Sequence, residues 1–221
     1  MRRLPAKGLQ AELWLLSRAD TAGLDSALAC ALSEEEIKRA NRFFRAEDHS
    51  RFLSARAALR SLLGAATGRA PKDISFVTGE FGKPRLAGDP APHFNVSHSG
   101  AFALIGISDR QIGVDIELMR DKVEELDLAR SFFSVDEHRF LAGLAQPARR
   151  AGFYRIWTAK EAVLKALGLG IANHLRDFSI EATQDGFNIR PENKSFASNL
   201  ATLAAMPLTA PEGYAAAAAV V

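Results

Sequence analysis

The stretch AKEAVLKALG, from Ala159 to Gly168, decides the fold because an earlier stretch of the same chain resembles it. ARAALRSLLG, from Ala55 to Gly64, aligns with it at an offset of 104 positions, the separation of Ala55 from Ala159. Six identities then occur without a gap, pairing Ala55 with Ala159, Ala58 with Ala162, Leu63 with Leu167, Gly64 with Gly168, Asp73 with Asp177 and Ser75 with Ser179. The repeat predicts two related halves. The alternative is chance agreement between two amphipathic helices that each end at a glycine.

The residues around these stretches predict strands and helices in a similar order in both halves. The first half has a strand at 11–16, a long amphipathic stretch at 33–64 with Ser33 and Glu36 as a capping box, and strands at 74–77, 94–96 and 102–107. The second half has a strand at 112–118, helices at 135–144 and 152–167, a strand at 178–181, a turn at Asp185 and Gly186, and a last strand from Tyr214.

This order predicts an α+β fold of two similar halves related by a pseudo-twofold axis. We expect residues 1–110 to form one half and residues 111–221 the other, each a small antiparallel sheet packed with a long helix. Interfaces between domains are favoured places for ligands, so we expect the active site in the cleft between the halves.

The composition is that of an ordinary globular protein. The chain has 221 residues, 48% hydrophobic and 24% charged, and a formal net charge of +2, too small to indicate nucleic acid. The single cysteine, Cys30, fits a reducing compartment. Charged residues interrupt the N-terminal stretch that an export signal would need, and the apolar run at 214–221 is too short to span a bilayer. We expect a cytoplasmic protein without membrane or nucleic-acid partners.

Two acidic residues stand in a strand that is otherwise apolar, GVDIE at 113–117. Asp115 and Glu117 are two positions apart, so their side chains point to the same side of the strand. Paired carboxylates repel each other unless a cation joins them, and Mg²⁺ is a hard cation that prefers such oxygen ligands. The other interpretation of the pair is a solvated strand face.

The helix WTAKEAVLK, at 157–165, places a carboxylate and an ammonium on one face. Trp157, Glu161 and Lys165 recur at a spacing of four, so their side chains project together. The simplest interpretation is a surface ion pair between Glu161 and Lys165, worth about 0.3–0.5 kcal/mol.

Together these segments resemble the Sfp-type 4'-phosphopantetheinyl transferases. FNVSHSG at 94–100, GVDIE at 113–117 and WTAKEAVLK at 157–165 occur in the family's order, and the family patterns are a GxDxE strand and a WxxKEAxxK helix. FGKPRL at 81–86, FFS at 132–134 and the C-terminal GYAAAAAVV extend the resemblance, which runs from about Ser33 to Val221. The family is built from two similar halves with the active site between them.

The resemblance implies transfer of 4'-phosphopantetheine from coenzyme A to a serine of an apo acyl or peptidyl carrier protein, with release of adenosine 3',5'-bisphosphate. It implies Mg²⁺ held by Asp115, Glu117 and Glu161, with Lys165 near the diphosphate. The catalytic residues would be Glu161, Lys165 and Asp115. The base that takes the serine proton is either Glu161 or a water molecule.

The resemblance also implies a set of contacts to coenzyme A, namely Arg51, Lys83, Ser97, His98, Lys160 and Lys165. Arg51 matches a position near the 3'-phosphate, Lys83 one near the adenine, and His98 one that contacts the phosphates. One departure is Glu36, which occupies a neighbourhood where the family has basic residues. The carrier is typically acidic, so the basic residues at 38–45 are candidates to attract it, although a solvated helix face explains them equally well.

Two other functions compete with this interpretation. One is another magnesium-dependent enzyme that acts on a phosphate ester; the second is a non-catalytic module that binds a carrier or a nucleotide. The first does not explain the order of SHSG and GKP, and the second does not explain why Asp115, Glu117, Glu161 and Lys165 are all present. We expect a monomer, because two halves within one chain can form the cleft.

Overall fold

The computed structural model of the chain describes residues 1–6, 8–17, 30–79, 82–88, 92–183 and 186–221. Asp185 of the predicted turn and Phe81 of the FGKPRL segment lie outside these residues. The described part of the first half contains, in order, β1 (Arg2–Leu4), β2 (Glu12–Ser17), α1 (Glu34–Ala40), α2 (Ala46–Thr67), a 3₁₀ turn (Pro71–Asp73), β3 (Phe76–Thr78), β4 (Pro84–Leu86), β5 (His93–Ser99) and β6 (Phe102–Ser108).

The second half begins with the strand that carries the acidic pair. It contains β7 (Ile112–Leu118), α3 (Glu125–Phe132), α4 (Val135–Ala142), α5 (Ala148–Leu167), α6 (Ile171–His174), β8 (Phe178–Ala182), β9 (Phe187–Pro191), α7 (Ala197–Leu200), β10 (Ala204–Pro207) and β11 (Tyr214–Val220). Within the described residues, no helix has the length and apolar character needed to cross a membrane.

The two halves share one topology, which confirms the predicted α+β fold of two similar halves. In the first half β2 pairs antiparallel with β6, and β6 pairs with β5. In the second half β7 pairs antiparallel with β11, and β11 pairs with β10. In both halves a long helix and a two-stranded hairpin separate the first of these strands from the other two. The strands β2, β6 and β5 therefore correspond to β7, β11 and β10.

Three apolar clusters hold this arrangement together, and burial of their surface is the main stabilising contribution. The helix α2 packs on the first sheet through Leu59 and Leu63. The helix α5 packs on the second sheet through a row of buried residues that includes Ala159, Val163 and Ala166. The third cluster lies between the sheets and combines residues of both halves, among them Leu13, Leu104, Val114, Ile116 and Ala218.

The long amphipathic stretch predicted at 33–64 is two helices, because the chain leaves the helical region at Arg45 (φ −96°, ψ 131°). The second of them, α2, continues past Gly64 and ends at Gly68, whose φ of +67° is the left-handed conformation that glycine tolerates. Gly64 is instead a packing position, since a Cβ there would stand 2.7 Å from the carbonyl oxygen of Arg69. The cap of α2, Gly68, therefore lies one turn beyond Gly64, the residue that the sequence alignment matches with Gly168, the cap of α5.

The predicted capping box at the start of α1 is confirmed, and its glutamate has a second role. Ser33 and Glu36 exchange side-chain to backbone hydrogen bonds. Glu36 is also buried against two arginines of α2, at 2.7 Å from Arg60 Nε and 3.3 Å from Arg56 Nε. Arg60 in turn donates to the backbone oxygens of Pro71 and Ile74. A buried charge network therefore fixes α1 and the 3₁₀ turn to α2.

Candidate active site

A glycine lets α5 lie directly on the strand that carries the acidic pair. A Cβ at Gly113 would stand 2.0 Å from the carbonyl oxygen of Ala162 and 2.4 Å from the backbone nitrogen of Ala166. Gly113, Asp115 and Glu117 alternate onto one face of β7. The close contact that requires glycine therefore also brings both carboxylates toward α5. Asp115 is only 1% exposed, and Glu117 is half-buried.

Side chains of β5 join the first half to the free edge of β7. Asn95 Oδ1, Ser97 Oγ and Ser99 Oγ accept hydrogen bonds from the backbone N–H groups of alternate β7 residues, Val114, Ile116 and Leu118. Ser97 also donates to Asp115 Oδ1, and Ser99 donates to Glu117 Oε2, both at 2.8 Å. Each serine thus satisfies the edge of the strand and orients one carboxylate.

Lys165 joins this strand to α5. Its Nζ lies 2.6 Å from Asp115 Oδ1 and 3.0 Å from Glu161 Oε2. The ion pair between Glu161 and Lys165 therefore forms, but in an enclosed position beside Asp115 rather than on a solvated face. The exposed fractions of the two helix side chains are 13% for Glu161 and 20% for Lys165. Electrostatic attraction is stronger in such a place than at an exposed surface.

Burial and charge shift the protonation of this cluster. Burial raises the pKa of Glu117, although the hydrogen bond from Ser99 opposes the shift. Burial, together with the charge of Asp115, raises the pKa of Glu161. Burial alone would lower the pKa of Lys165, but Asp115 and Glu161 raise it above its ordinary value. Three carboxylates share one ammonium, so the site carries excess negative charge and favours a further cation.

The cluster contains carboxylate ligands suited to Mg²⁺, but these ligands are not arranged around a common metal position. Asp115 Oδ2 is buried and has no hydrogen-bond partner among the residues that the structure describes. An orphaned carboxylate oxygen is costly, and a hard cation with oxygen preference would satisfy it. Across the same described ranges, however, no three His, Cys, Asp or Glu side chains are arranged to hold a metal. Lys165 contacts both Asp115 and Glu161, so its ammonium supplies the positive charge there.

Comparison with known proteins assigns the family. A family model described as the 4'-phosphopantetheinyl transferase superfamily matches residues 111–219, and one described as 4'-phosphopantetheinyl transferase, N-terminal, matches residues 18–109. A putative 4'-phosphopantetheinyl transferase of Synechocystis is 39% identical over 82% of this chain and 74% of its own length. The 4'-phosphopantetheinyl transferase Sfp of Bacillus subtilis is 34% identical over 70% and 68%. The chain belongs to the 4'-phosphopantetheinyl transferase family.

Solved structures of holo-acyl-carrier-protein synthases are also similar. The Thermotoga maritima enzyme matches with a TM-score of 0.40 and 20% identity, over 50% of this chain and 61% of its own. A Chronobacterium ammoniagenes synthase in complex with coenzyme A matches with a TM-score of 0.37 and 18% identity, over 49% and 93%. The family assignment rests on the sequence relatives, and it confirms both the predicted resemblance and the predicted enzyme class, a 4'-phosphopantetheinyl transferase.

In this transferase Lys83 lies at the junction of the halves. Its Nζ donates to the backbone oxygen of Ile112, at 2.9 Å, and to the backbone oxygen of Lys165. These acceptors belong to β7 and α5, the two elements that carry the carboxylates. Burial lowers the pKa of Lys83 to about 8. Lys83 also lines a cavity of about 330 Å³ together with Arg85 and His93. Burial, followed by the charges of Lys83 and Arg85, lowers the pKa of His93.

Arg51 and His98 of the transferase both lie near the turn between β5 and β6. His98 is exposed and lies on the opposite face of β5 from Ser97, with Ala103 as its cross-strand partner. Arg51, on α2, lines a small cavity together with Ala103. It pairs with Asp48 at 3.2 Å, while its Nε is buried and lacks a hydrogen-bond partner in the described part of the chain.

Lys160 of the transferase lies away from the carboxylate cluster. Its side chain is 0% exposed, and its Nζ lies 3.0 Å from Glu137 Oε2. It also donates to the backbone oxygens of Leu175 and Phe178. Burial lowers the pKa of Lys160 although Glu137 opposes the shift. The ammonium is occupied in packing α5 against α4 and β8, so its position gives no support to the predicted contact with coenzyme A.

The sequence interpretation also missed positioning residues. The sequence predicts a contact between Ser97 and coenzyme A, and in the structure the Ser97 hydroxyl donates to Asp115. Ser99 donates to Glu117 in the same way, Asn95 accepts from the backbone N–H of Val114, and neither residue was identified from the sequence. The pattern that could have revealed them is present in NVSHS, where polar residues occupy every second position of a predicted strand. Such residues face one side of their strand, and here they accept hydrogen bonds from the edge of β7 that does not pair with β11.

Proposed function

We propose that this transferase moves 4'-phosphopantetheine from coenzyme A to a serine of an apo acyl or peptidyl carrier protein and releases adenosine 3',5'-bisphosphate, with Mg²⁺ as cofactor. The observation that carries the proposal is the enclosed cluster of Asp115, Glu117, Glu161 and Lys165, in which Asp115 Oδ2 has no protein partner among the described residues. Membership of the family favours this activity over other phosphate-ester chemistry and over a non-catalytic module.

The residues that would hold Mg²⁺ are Asp115, Glu117 and Glu161. When bound, the cation would neutralise the diphosphate of coenzyme A and polarise its phosphorus. Ser97 donates a hydrogen bond to Asp115 and Ser99 donates one to Glu117, so the carboxylate oxygens keep a fixed direction. Oriented ligands of this kind lower the reorganisation that binding requires.

Lys165 would serve the leaving group. The serine oxygen forms a bond to the phosphorus nearer the pantetheine arm, and the bond from that phosphorus to the bridging oxygen breaks. The electron pair of the broken bond passes to adenosine 3',5'-bisphosphate, and the Lys165 ammonium offsets the charge that develops there. The proton of the serine hydroxyl passes either to Glu161 or to a water molecule beside it.

The remaining contacts would bind the two ends of the nucleotide. Arg51 and His98 both lie near the β5–β6 turn. They are suited to phosphate because Arg51 Nε is buried without a partner among the described residues and His98 is exposed. The cavity of about 330 Å³ beside Lys83 is our candidate for the adenine end. Ser97 and Lys160 are not part of this set, because the Ser97 hydroxyl donates to Asp115 and the Lys160 ammonium pairs with Glu137.

The acidic carrier would approach the exposed basic residues that lie on and after α1, namely Lys38, Arg39, Arg42 and Arg45. Opposite charges raise the rate of association and orient the partner. We further propose a monomer in the cytoplasm, with the division between its halves at 110 and 111.

One assay tests the proposal. The full chain is incubated with coenzyme A, Mg²⁺ and an apo carrier protein, and the carrier is weighed by mass spectrometry. We expect a gain of one phosphopantetheine group, an equal amount of adenosine 3',5'-bisphosphate, and no gain when a chelator removes the metal. A carrier whose reactive serine is replaced by alanine is the matched control. Unchanged carrier mass across acyl and peptidyl carriers would contradict the proposal.

A further inference from the structure

A separate cavity lies in the second half, away from the carboxylate cluster. Its volume is about 450 Å³, within the range of small-molecule sites, and it is enclosed by α4, α5, β8 and β9. On α5 it is lined by Gly152, Arg155 and Ile156. Each residue of a helix turns by about 100° and rises 1.5 Å, so this surface is roughly opposite Glu161 and Lys165 and about 15 Å along the axis from Lys165.

Two polar atoms in the wall of this cavity lack partners. Ser179 is 3% exposed, and its Oγ has no hydrogen-bond partner within the described ranges. The same is true of Arg155 Nε, although Arg155 Nη2 donates to the backbone oxygen of Thr183 at 2.8 Å. Arg190 also lines the cavity, directly opposite Ser179 in the β8–β9 register. Unsatisfied buried donors are unfavourable, and a ligand acceptor would satisfy them.

The acidic residues of the wall are largely neutralised by other groups. Glu137 pairs with Lys160 and accepts a hydrogen bond from the backbone N–H of Ile180 at 2.7 Å. Asp136 pairs with Arg139 at 2.9 Å. The two positive charges of Arg155 and Arg190 then exceed the one negative charge of Glu181, so the polar part of the cavity favours an anion. The rest of the wall is apolar and includes Phe140, Leu144, Ile156 and Ile180.

We infer that this cavity binds a small amphipathic carboxylate of the medium-chain fatty-acid class. A carboxylate accepts two hydrogen bonds in one plane, and it would take them from Arg155 Nε and Ser179 Oγ. The alkyl chain would lie along Phe140, which is 55% exposed, and along Leu144 and Ile156. This site is independent of the transfer reaction and of the coenzyme cleft.

Octanoate is the probe, titrated into the full chain and followed by calorimetry. We expect saturable binding that is at least about tenfold tighter than that of octanol or octyltrimethylammonium, because those probes lack the anionic acceptor. Arg155→Met should weaken the binding of octanoate at least about tenfold, and saturating coenzyme A should leave the affinity for octanoate unchanged.

Ala151→Trp fills the cavity from an exposed position and should abolish binding. Its matched control is Ala142→Trp, an exposed alanine at the end of α4, outside the cavity wall.

Ser179→Ala separates a ligand role from a structural one. Removing an unsatisfied buried hydroxyl should leave the unfolding midpoint of the free protein unchanged or higher, while it weakens octanoate several-fold. No binding of octanoate up to about 10 mM, a concentration generous for a ligand of this size, would overturn the inference. Equal affinity in Ala151→Trp, or displacement of octanoate by coenzyme A, would overturn it as well, because octanoate would then occupy another place.

Discussion

Lys165 Nζ lies 2.6 Å from Asp115 Oδ1, so one ion pair joins the C-terminal half of α5 to the centre of β7. The two residues are 50 positions apart in the chain. Asp115 is almost completely buried, and its second oxygen has no hydrogen-bond partner among the described residues. The pair therefore places a cation and an available carboxylate oxygen side by side, and the proposed transfer from the diphosphate of coenzyme A would use both.

Replacement of Asp115 tests the metal role of this carboxylate. Asp115→Asn keeps the shape of the side chain but removes its charge, so we expect transfer to fall by roughly 10³-fold and to respond less to Mg²⁺. The measurement is the initial rate of carrier modification over a range of Mg²⁺ concentrations, with circular dichroism as a check of folding. Asp136→Asn, an exposed aspartate of α4, is the control and should keep full activity. A fully active, magnesium-dependent Asp115→Asn enzyme would exclude Asp115 from the metal site.

Replacement of His98 tests binding of the coenzyme phosphates. We expect His98→Ala to raise the KM for coenzyme A about tenfold with little change in kcat, because a charge-assisted hydrogen bond to the bound ligand is lost. His174→Ala is the control, since His174 pairs with Asp177 in the second half. An unaltered KM in steady-state kinetics would show that His98 does not contact the coenzyme.

Replacement of Glu36 tests the buried network of the first half. Glu36→Ala leaves Arg56 and Arg60 without their carboxylate in a buried position, so we expect the free energy of unfolding to fall by about 3–5 kcal/mol. Urea denaturation measures this change. Glu34→Ala removes an exposed glutamate of the same helix, paired with Lys38 at 3.7 Å, and should change stability by less than about 1 kcal/mol. Equal effects of the two substitutions would mean that the network adds no stability.

Replacement of Lys83 tests the pH dependence of stability. The folded pKa, about 8, lies below the ordinary value of 10.5, so the unfolded chain binds more protons between these pH values. The burial cost is fully present below pH 8 and is relieved as the pH rises, and stability therefore increases with pH in this window. Relative to Lys83→Met, we expect the wild-type protein to gain roughly 2–3 kcal/mol from pH 8 to pH 10.5.

Denaturation by urea at several pH values measures the difference between the two proteins. Lys72→Met is the matched control, because Lys72 is exposed. Parallel pH profiles for wild type and Lys83→Met would show that Lys83 keeps an ordinary pKa in the folded protein.

Local patterns in the sequence predicted much of the fold. Alternation along 112–118 predicted β7, Ser33 and Glu36 predicted the start of α1, and the repeated helix predicted two halves of one topology. The end of α2 was missed by one turn, because Gly64 and Gly68 are both glycines and only packing against Arg69 and Pro71 distinguishes them. The break at 41–45 was missed because this segment, NRFFR, contains neither proline nor glycine to mark it.

The sequence by itself determined the family, the two-half architecture and the residue types of the candidate site, since these follow from short motifs and from periodicity. Only the tertiary structure decided how those residues are used. In the folded chain the Ser97 hydroxyl donates to Asp115, and the Lys160 ammonium is buried beside Glu137. Lys83 donates to the backbone oxygens of Ile112 and Lys165. These contacts join segments far apart in the chain, and long-range packing decides which face of a strand or helix becomes buried.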